Sequence, residues 1–212
     1  MKAIIPAGGM ATRMLPISRA VPKEMLPIGS KPVIHYIIEE LQQAGITEIL
    51  ILIGHGREGL IKYLENFDIT YKLVPVPRGP ADNINHAKSW VGNDNFIVAY
   101  CDNVFFDGNP TTELLNACAP SVLATSVDNP QHYGVIHNNK ITEKPSNPKS
   151  NLVACGRYYL TPKFFDIFKH DKCMTVCLNE LGFETITTKS KCFDTGTPYG
   201  LFQTNNFIVQ KF

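Results

Sequence analysis

The sequence predicts a three-layer α/β fold whose sheet is mostly parallel in its first half and mixed in its second. Two observations carry that expectation. From Lys2 to Tyr100, short apolar runs of strand length alternate with stretches of helical period, the pattern of parallel strands joined by covering helices. After Asp102 the strand-like runs shorten and are separated by Asn-, Asp- and Gly-rich turns, which suits antiparallel pairing.

In chain order, Lys2 to Pro6 reads as a buried strand. Ser30 precedes a helix over Pro32 to Ala44, with Val33, Ile34, Ile37, Ile38 and Leu41 on one face, Ser30 as its expected cap and Gly45 at its end. Ile46 to Ile53 is a continuous apolar run, expected of a strand covered on both faces. Leu60, Ile61 and Leu64 mark a second helix, Tyr71 to Val76 a third strand, Pro80 to Val91 a third helix and Asn95 to Tyr100 a fourth strand. The second half reads as a helix at Pro110 to Cys118, then strands at Ser121 to Val127, Val135-Ile136, Ile141-Thr142 and Leu152 to Leu160. Helices follow at Pro162 to His170 and Thr175 to Leu181, strands at Glu184 to Thr188 and Lys191 to Phe193, and a closing helix at Tyr199 to Val209. No repeat or linker interrupts the 212 residues, so one domain is expected, with functional halves at 1–105 and 106–212.

A net charge of +1 provides no broad basic field, so no nucleic-acid partner is expected. No apolar run reaches the roughly 20 residues of a bilayer span. Met1-Lys2 runs straight into a strand pattern, which predicts no signal peptide and a cytoplasmic protein with reduced thiols. Cys173 and Cys177 are the one close pair among six cysteines, and without a second Cys or His pair no zinc finger is expected.

The chemistry concentrates between Pro6 and Pro27. Gly8-Gly9 follow the first strand, where open α/β sheets bind ligands, and their backbone N–H groups can approach an anion. Arg13 can fork onto two phosphate oxygens and Lys23 adds a mobile point charge. A second glycine-rich turn, Gly54-His55-Gly56-Arg57-Glu58-Gly59, fits the dinucleotide fingerprint G-x-G-x-x-G. The following strand ends near Pro77-Arg78 rather than on an acidic residue, so this turn is expected to be a plain strand-to-helix connection. Asp82 can cap the helix after Gly79 or serve a ligand.

Pro6-Ala7-Gly8-Gly9-Met10-Ala11-Thr12-Arg13, followed by Pro22-Lys23-Glu24-Met25-Leu26-Pro27, resembles the signature of the sugar-1-phosphate nucleotidyltransferases. The likeness is nearest to the uridylyltransferases that use UTP and glucose 1-phosphate, with the thymidylyltransferases close by. Ala11 stands where the family has its last loop glycine, and Val74 where a glutamine often precedes the base loop. Arg78-Gly79-Pro80-Ala81-Asp82-Asn83, Tyr100-Cys101-Asp102-Asn103, Gln131-His132-Tyr133-Gly134, Thr142-Glu143-Lys144-Pro145, Gly156-Arg157-Tyr158-Tyr159 and Phe193-Asp194-Thr195-Gly196 resemble further blocks of that family.

The resemblance implies a Rossmann-like fold of the nucleotide-diphospho-sugar transferase type. It implies a nucleotide site at Ala7, Gly8, Gly9, Arg13, Lys23 and Gly79, and a sugar-phosphate site at Gly134, Glu143, Lys144 and Tyr158. Arg13, Lys23 and Lys144 become the catalytic residues, and Asp102 and Asp194 the ligands of Mg²⁺. The implied reaction joins an NTP, UTP first, to a hexose 1-phosphate, releasing pyrophosphate. Use of dTTP, CTP or GTP, a different phosphorylated acceptor such as phosphocholine, or a sensor that binds nucleotide sugar without turnover are the alternatives.

Overall fold

The computed structural model describes residues 1–75, 78–169 and 172–211. The first half follows the expected alternation: β1 (Lys2–Ala7), a short hairpin of β2 (Pro27–Ile28) and β3 (Lys31–Pro32), α1 (Val33–Gln43), β4 (Glu48–Gly54), α2 (Glu58–Leu64), β5 (Thr70–Val74), α3 (Pro80–Asn85), α4 (Lys88–Val91) and β6 (Phe96–Ala99). The second half comprises β7 (Asn103–Phe106), α5 (Pro110–Leu115), β8 (Ser121–Ser126), β9 (Gly134–His137), β10 (Lys140–Glu143), β11 (Leu152–Leu160), α6 (Phe164–Ile167), α7 (Met174–Leu181), β12 (Glu184–Thr187), β13 (Lys191–Asp194) and α8 (Pro198–Val209).

Nine of the described strands form one sheet. Its main path runs β10-β9-β11-β6-β1-β4-β5, with β8 against β11 and β12 against β8. β6, β1, β4 and β5 are parallel; β11 joins antiparallel to β6 and turns the second half into the expected mixed sheet. Alternate residues of the central strands enter opposite cores, as the two-residue period of a strand requires. Ala3, Ile5, Ile51 and Ile53 pack with α1, whereas Ile4, Leu50, Leu52 and Val98 pack with α3, α6 and α7.

Four local expectations are corrected. Ser30 does not cap α1: the β2–β3 pairing places it in the hairpin turn, and Pro32 is the N-cap, with no side-chain bond. The helix expected over Pro80 to Val91 is two helices, because His86 and Ala87 take tight bonds to Asn83 and Ile84 three residues back. The helix expected over Pro162 to His170 is one short turn, α6, and His170 lies outside the described residues, as does Val76 at the expected end of the third strand. Finally, Asn103–Phe106 is a strand the sequence did not announce; it pairs antiparallel with β13, Asn103 opposite Asp194.

Candidate active site

The site gathers at the carboxyl ends of β1, β4 and β6. The loop after β1 lies against the end of β4 so closely that a Cβ on Gly54 would stand 2.8 Å from Gly8 Cα. Gly54 is therefore a packing requirement of the Gly8-Gly9 loop. Ala11 holds left-handed geometry at φ 49° and ψ 42°, and the turn Thr12–Met14 that follows presents Arg13. A side chain in this region costs on the order of 1 kcal/mol relative to glycine, less what glycine loses in chain entropy. Ala11→Gly is thus expected to raise the thermal midpoint by about 2 °C, read by calorimetry; a lower midpoint would show that Ala11 makes contacts worth more than the strain.

Four charged groups meet beside this loop. Lys23 Nζ lies 3.3 Å from Asp102 Oδ2, and Arg13 reaches Asp102 at 3.8 Å and Asp194 at 3.7 Å. The β7–β13 pairing brings Asp194 here, and the Thr195 N–H donates to the Asp102 carbonyl at 2.7 Å, tying the two segments directly. Burial opposes charge on Lys23, yet Asp102 and Glu24 outweigh it and hold the ammonium above its ordinary pKa. Burial likewise opposes the Asp102 carboxylate, but Lys23 and Arg13 prevail and lower its pKa. Asp194 goes the other way: burial raises it, the Gly196 N–H donated to it at 2.9 Å only partly compensates, and the Asp102 charge raises it further. Two carboxylates, one of them short of positive charge, offer a hard cation oxygen donors. No cluster of three or more His, Cys, Asp or Glu suited to a metal occurs among the described residues, so any ion there would rely on ligand oxygens and water.

Two cavities open on either side of Asp102. The first, about 340 Å³, is lined by Gly9, Met10, Ala11, Lys23, Gly79 and Asn83. The second, about 500 Å³, is lined by Arg13, Gly134, Glu143, Lys144, Tyr158 and Asp194. Pro80, Tyr100 and Asp102 belong to both. Of the expected nucleotide residues, Gly9, Lys23 and Gly79 therefore share one cavity, while Arg13 faces the other and reaches across its rim to Asp102. Ala7 is buried in the core at the end of β1, and Gly8 stands behind the loop against Gly54. All four expected sugar-phosphate residues share the larger cavity, where Thr175 Oγ1 donates to Glu143 Oε2 at 3.5 Å. Lys144 sits at φ 43°, its N–H donating to the Tyr133 carbonyl at 2.9 Å, so its side chain is aimed by a strained backbone.

Sequence reasoning missed the supports. Arg157, fully buried, forks onto Glu40 at 2.8 and 2.7 Å and donates to the carbonyls of Tyr100, Gly156 and Asn103 at 3.0, 3.2 and 3.0 Å. It thus clasps the turn carrying Asp102 from both sides. Gly156 beside it has φ 72°, and a Cβ there would fall 2.5 Å from Asn103 Oδ1. The fingerprint-like turn at Gly54 to Gly59 also has a task. Arg57 pairs with the buried Glu24 and donates to the Gly9 carbonyl, so the turn braces the glycine loop and the Lys23 segment together. Asp82 accepts from the Arg78 N–H at 3.0 Å and Gly79 is the N-cap of α3, so Asp82 orders the turn before that helix.

A family model described as nucleotidyl transferase matches residues 2–211. The chain is 34% identical over 188 residues to a glucose-1-phosphate thymidylyltransferase of Neisseria meningitidis, an alignment covering 81% of this chain and 65% of that protein. It is 32% identical over 217 residues to UTP–glucose-1-phosphate uridylyltransferase 2 of Streptococcus pyogenes, covering 79% of this chain and 73% of that one. Among solved structures, a UDP-glucose pyrophosphorylase complexed with UDP-glucose superposes with a TM-score of 0.89 at 26% identity, over 100% of this chain and 99% of the other. No helix among the described residues is long and apolar enough to cross a membrane. With the match running from the first strand to the last helix, this chain belongs to the nucleotidyl transferase family and is a nucleotidyltransferase.

Proposed function

We propose that the enzyme transfers a uridylyl group from UTP to glucose 1-phosphate, giving UDP-glucose and pyrophosphate. One observation carries this reading: two cavities of ligand size share a wall at Asp102, one framed by the glycine loop and Lys23, the other by Glu143 and Lys144. A triphosphate in the first and a phosphorylated sugar in the second would bring their phosphates together at that wall. The uridylyltransferase relative and the neighbour that holds UDP-glucose support the choice of UTP and glucose. The thymidylyltransferase relative, as similar in sequence, supports dTTP as the second choice.

In this reading an oxygen of the sugar phosphate attacks the α-phosphorus; the new O–P bond forms as the bond to pyrophosphate breaks. The phosphate nucleophile is already ionised near neutral pH, so no protein base is needed. Lys23 neutralises charge growing on pyrophosphate, Arg13 spans the rim where both phosphates meet, and Lys144 orients the nucleophile. Asp102 and Asp194 would hold Mg²⁺, which when bound supplies charge neutralisation between the two phosphates. Glu143 accepts from sugar hydroxyls. Pyrophosphate release, measured across a panel of NTPs and sugar 1-phosphates, tests the reading. Release fastest with UTP and glucose 1-phosphate is expected; nucleotide binding without release from any pair would assign a sensor instead.

A further inference from the structure

Asn83, in the first turn of α3, is 3% exposed and lines the smaller cavity. Its backbone N–H is satisfied by the Gly79 carbonyl at 3.1 Å, but its side-chain Oδ1 is buried with no hydrogen-bond partner among the described residues. A buried amide oxygen left alone carries a substantial desolvation penalty, and such an atom on a cavity wall is accounted for if a ligand completes it. The surroundings say which part of a ligand. The phosphate end of this cavity is marked by Lys23 beside Asp102. A neutral amide adds no charge for phosphate, and its oxygen would repel phosphate oxygens. The walls near Asn83 in the chain fold are slender: Gly79 has no Cβ, and one added there would meet nothing within 4 Å. Met10, 69% exposed, and Ala11 supply apolar surface on the loop facing it. A slot with apolar walls and one amide is suited to a flat heterocycle.

We propose that Asn83 reads the base of the bound nucleotide, its carboxamide pairing with the imide edge of a uracil or thymine: Oδ1 accepts from N3–H and Nδ2 donates to the adjacent carbonyl. The inference rests on the nucleotide reading of the smaller cavity and adds to it the residue that selects the base. It also accounts for an orphaned atom that packing alone leaves unexplained.

The test compares wild type, Asn83→Ala and Asn83→Asp in kcat/KM for UTP, dUTP and CTP, in inhibition by tripolyphosphate and in thermal midpoint without ligand. Asn83→Ala should lower kcat/KM for UTP about tenfold, leave tripolyphosphate inhibition and the KM for the sugar phosphate within about twofold, and melt no lower than wild type, because an unsatisfied buried group has been removed. Asn83→Asp should favour CTP relative to UTP, since a carboxylate accepts from the exocyclic amine of cytosine and repels the uracil carbonyl. An unchanged UTP-to-CTP ratio in both variants overturns the proposal. So does a loss shared equally with tripolyphosphate, which would mean a packing role, or a loss seen with UTP and absent with dUTP, which would place the contact on the ribose. If the wild type binds UTP selectively by calorimetry yet releases no pyrophosphate, the transfer reaction falls and the same binding comparison still decides Asn83. If it binds no nucleotide, both fall.

Discussion

Asp194→Asn is expected to lower turnover on the order of a hundredfold or more while leaving the fold as stable as before, or more so. The substituted amide keeps an oxygen to accept the Gly196 N–H, and it removes a charge that burial and Asp102 both disfavour. Activity and stability therefore move in opposite directions, which a loss by misfolding would not do. The pH dependence has a definite sign. The folded chain holds the Asp194 proton more tightly than the unfolded chain, so this group favours the fold as pH falls through its raised pKa, and that contribution fades as pH rises. Turnover goes the other way, falling as the carboxylate is protonated, with an acid limb above the ordinary aspartate range. That limb should be absent from the residual activity of Asp194→Asn. Titration of activity against Mg²⁺ and pH in both proteins is the measurement; near-normal metal-dependent turnover in the variant would remove Asp194 from the site.

The second large effect is structural. Arg157→Ala strands the buried Glu40 carboxylate and leaves the Tyr100, Gly156 and Asn103 carbonyls without their donor. Breaking a buried pair on one side costs about 3–5 kcal/mol, a large part of a typical total of roughly 5–15. The thermal midpoint should drop on the order of 10 °C. Removing both partners, as Glu40→Leu with Arg157→Met, should recover only part of this, because the carbonyls still lack a donor. Full recovery in the double variant would mean the guanidinium serves Glu40 alone.

These supports explain how far the residues alone could be read. The central strands and α1 were legible because burial on two faces leaves unbroken apolar runs, and burial on one leaves a helical stripe. The blocks around Gly8, Lys23, Asp102, Glu143 and Asp194 were legible as a resemblance, and the fold they implied is the one observed. Pairing across long distances was not. β7 is four residues long, and its partner lies 88 positions on at Lys191–Asp194, with no turn between them to announce it. Arg57 sat in a motif that pointed to a different ligand; nothing in its neighbours reveals a bond to Glu24, 33 positions away. Glu40 looked like one more polar residue at the end of an amphipathic helix, and only the approach of β11 makes it the anchor for Arg157. Asn83 lay inside a block read for its glycine, where an amide carries no local signal.

The wall that the two cavities share at Asp102 also bears on departure. A molecule made by joining their occupants grips the protein in two places through one covalent tether. Either half, on letting go, stays near its seat at a high effective concentration and rebinds before the other half can leave. Such a product lingers longer than either precursor alone. In a cleft of this shape the pace of turnover is set by the exit, and accumulated product competes with both precursors at once.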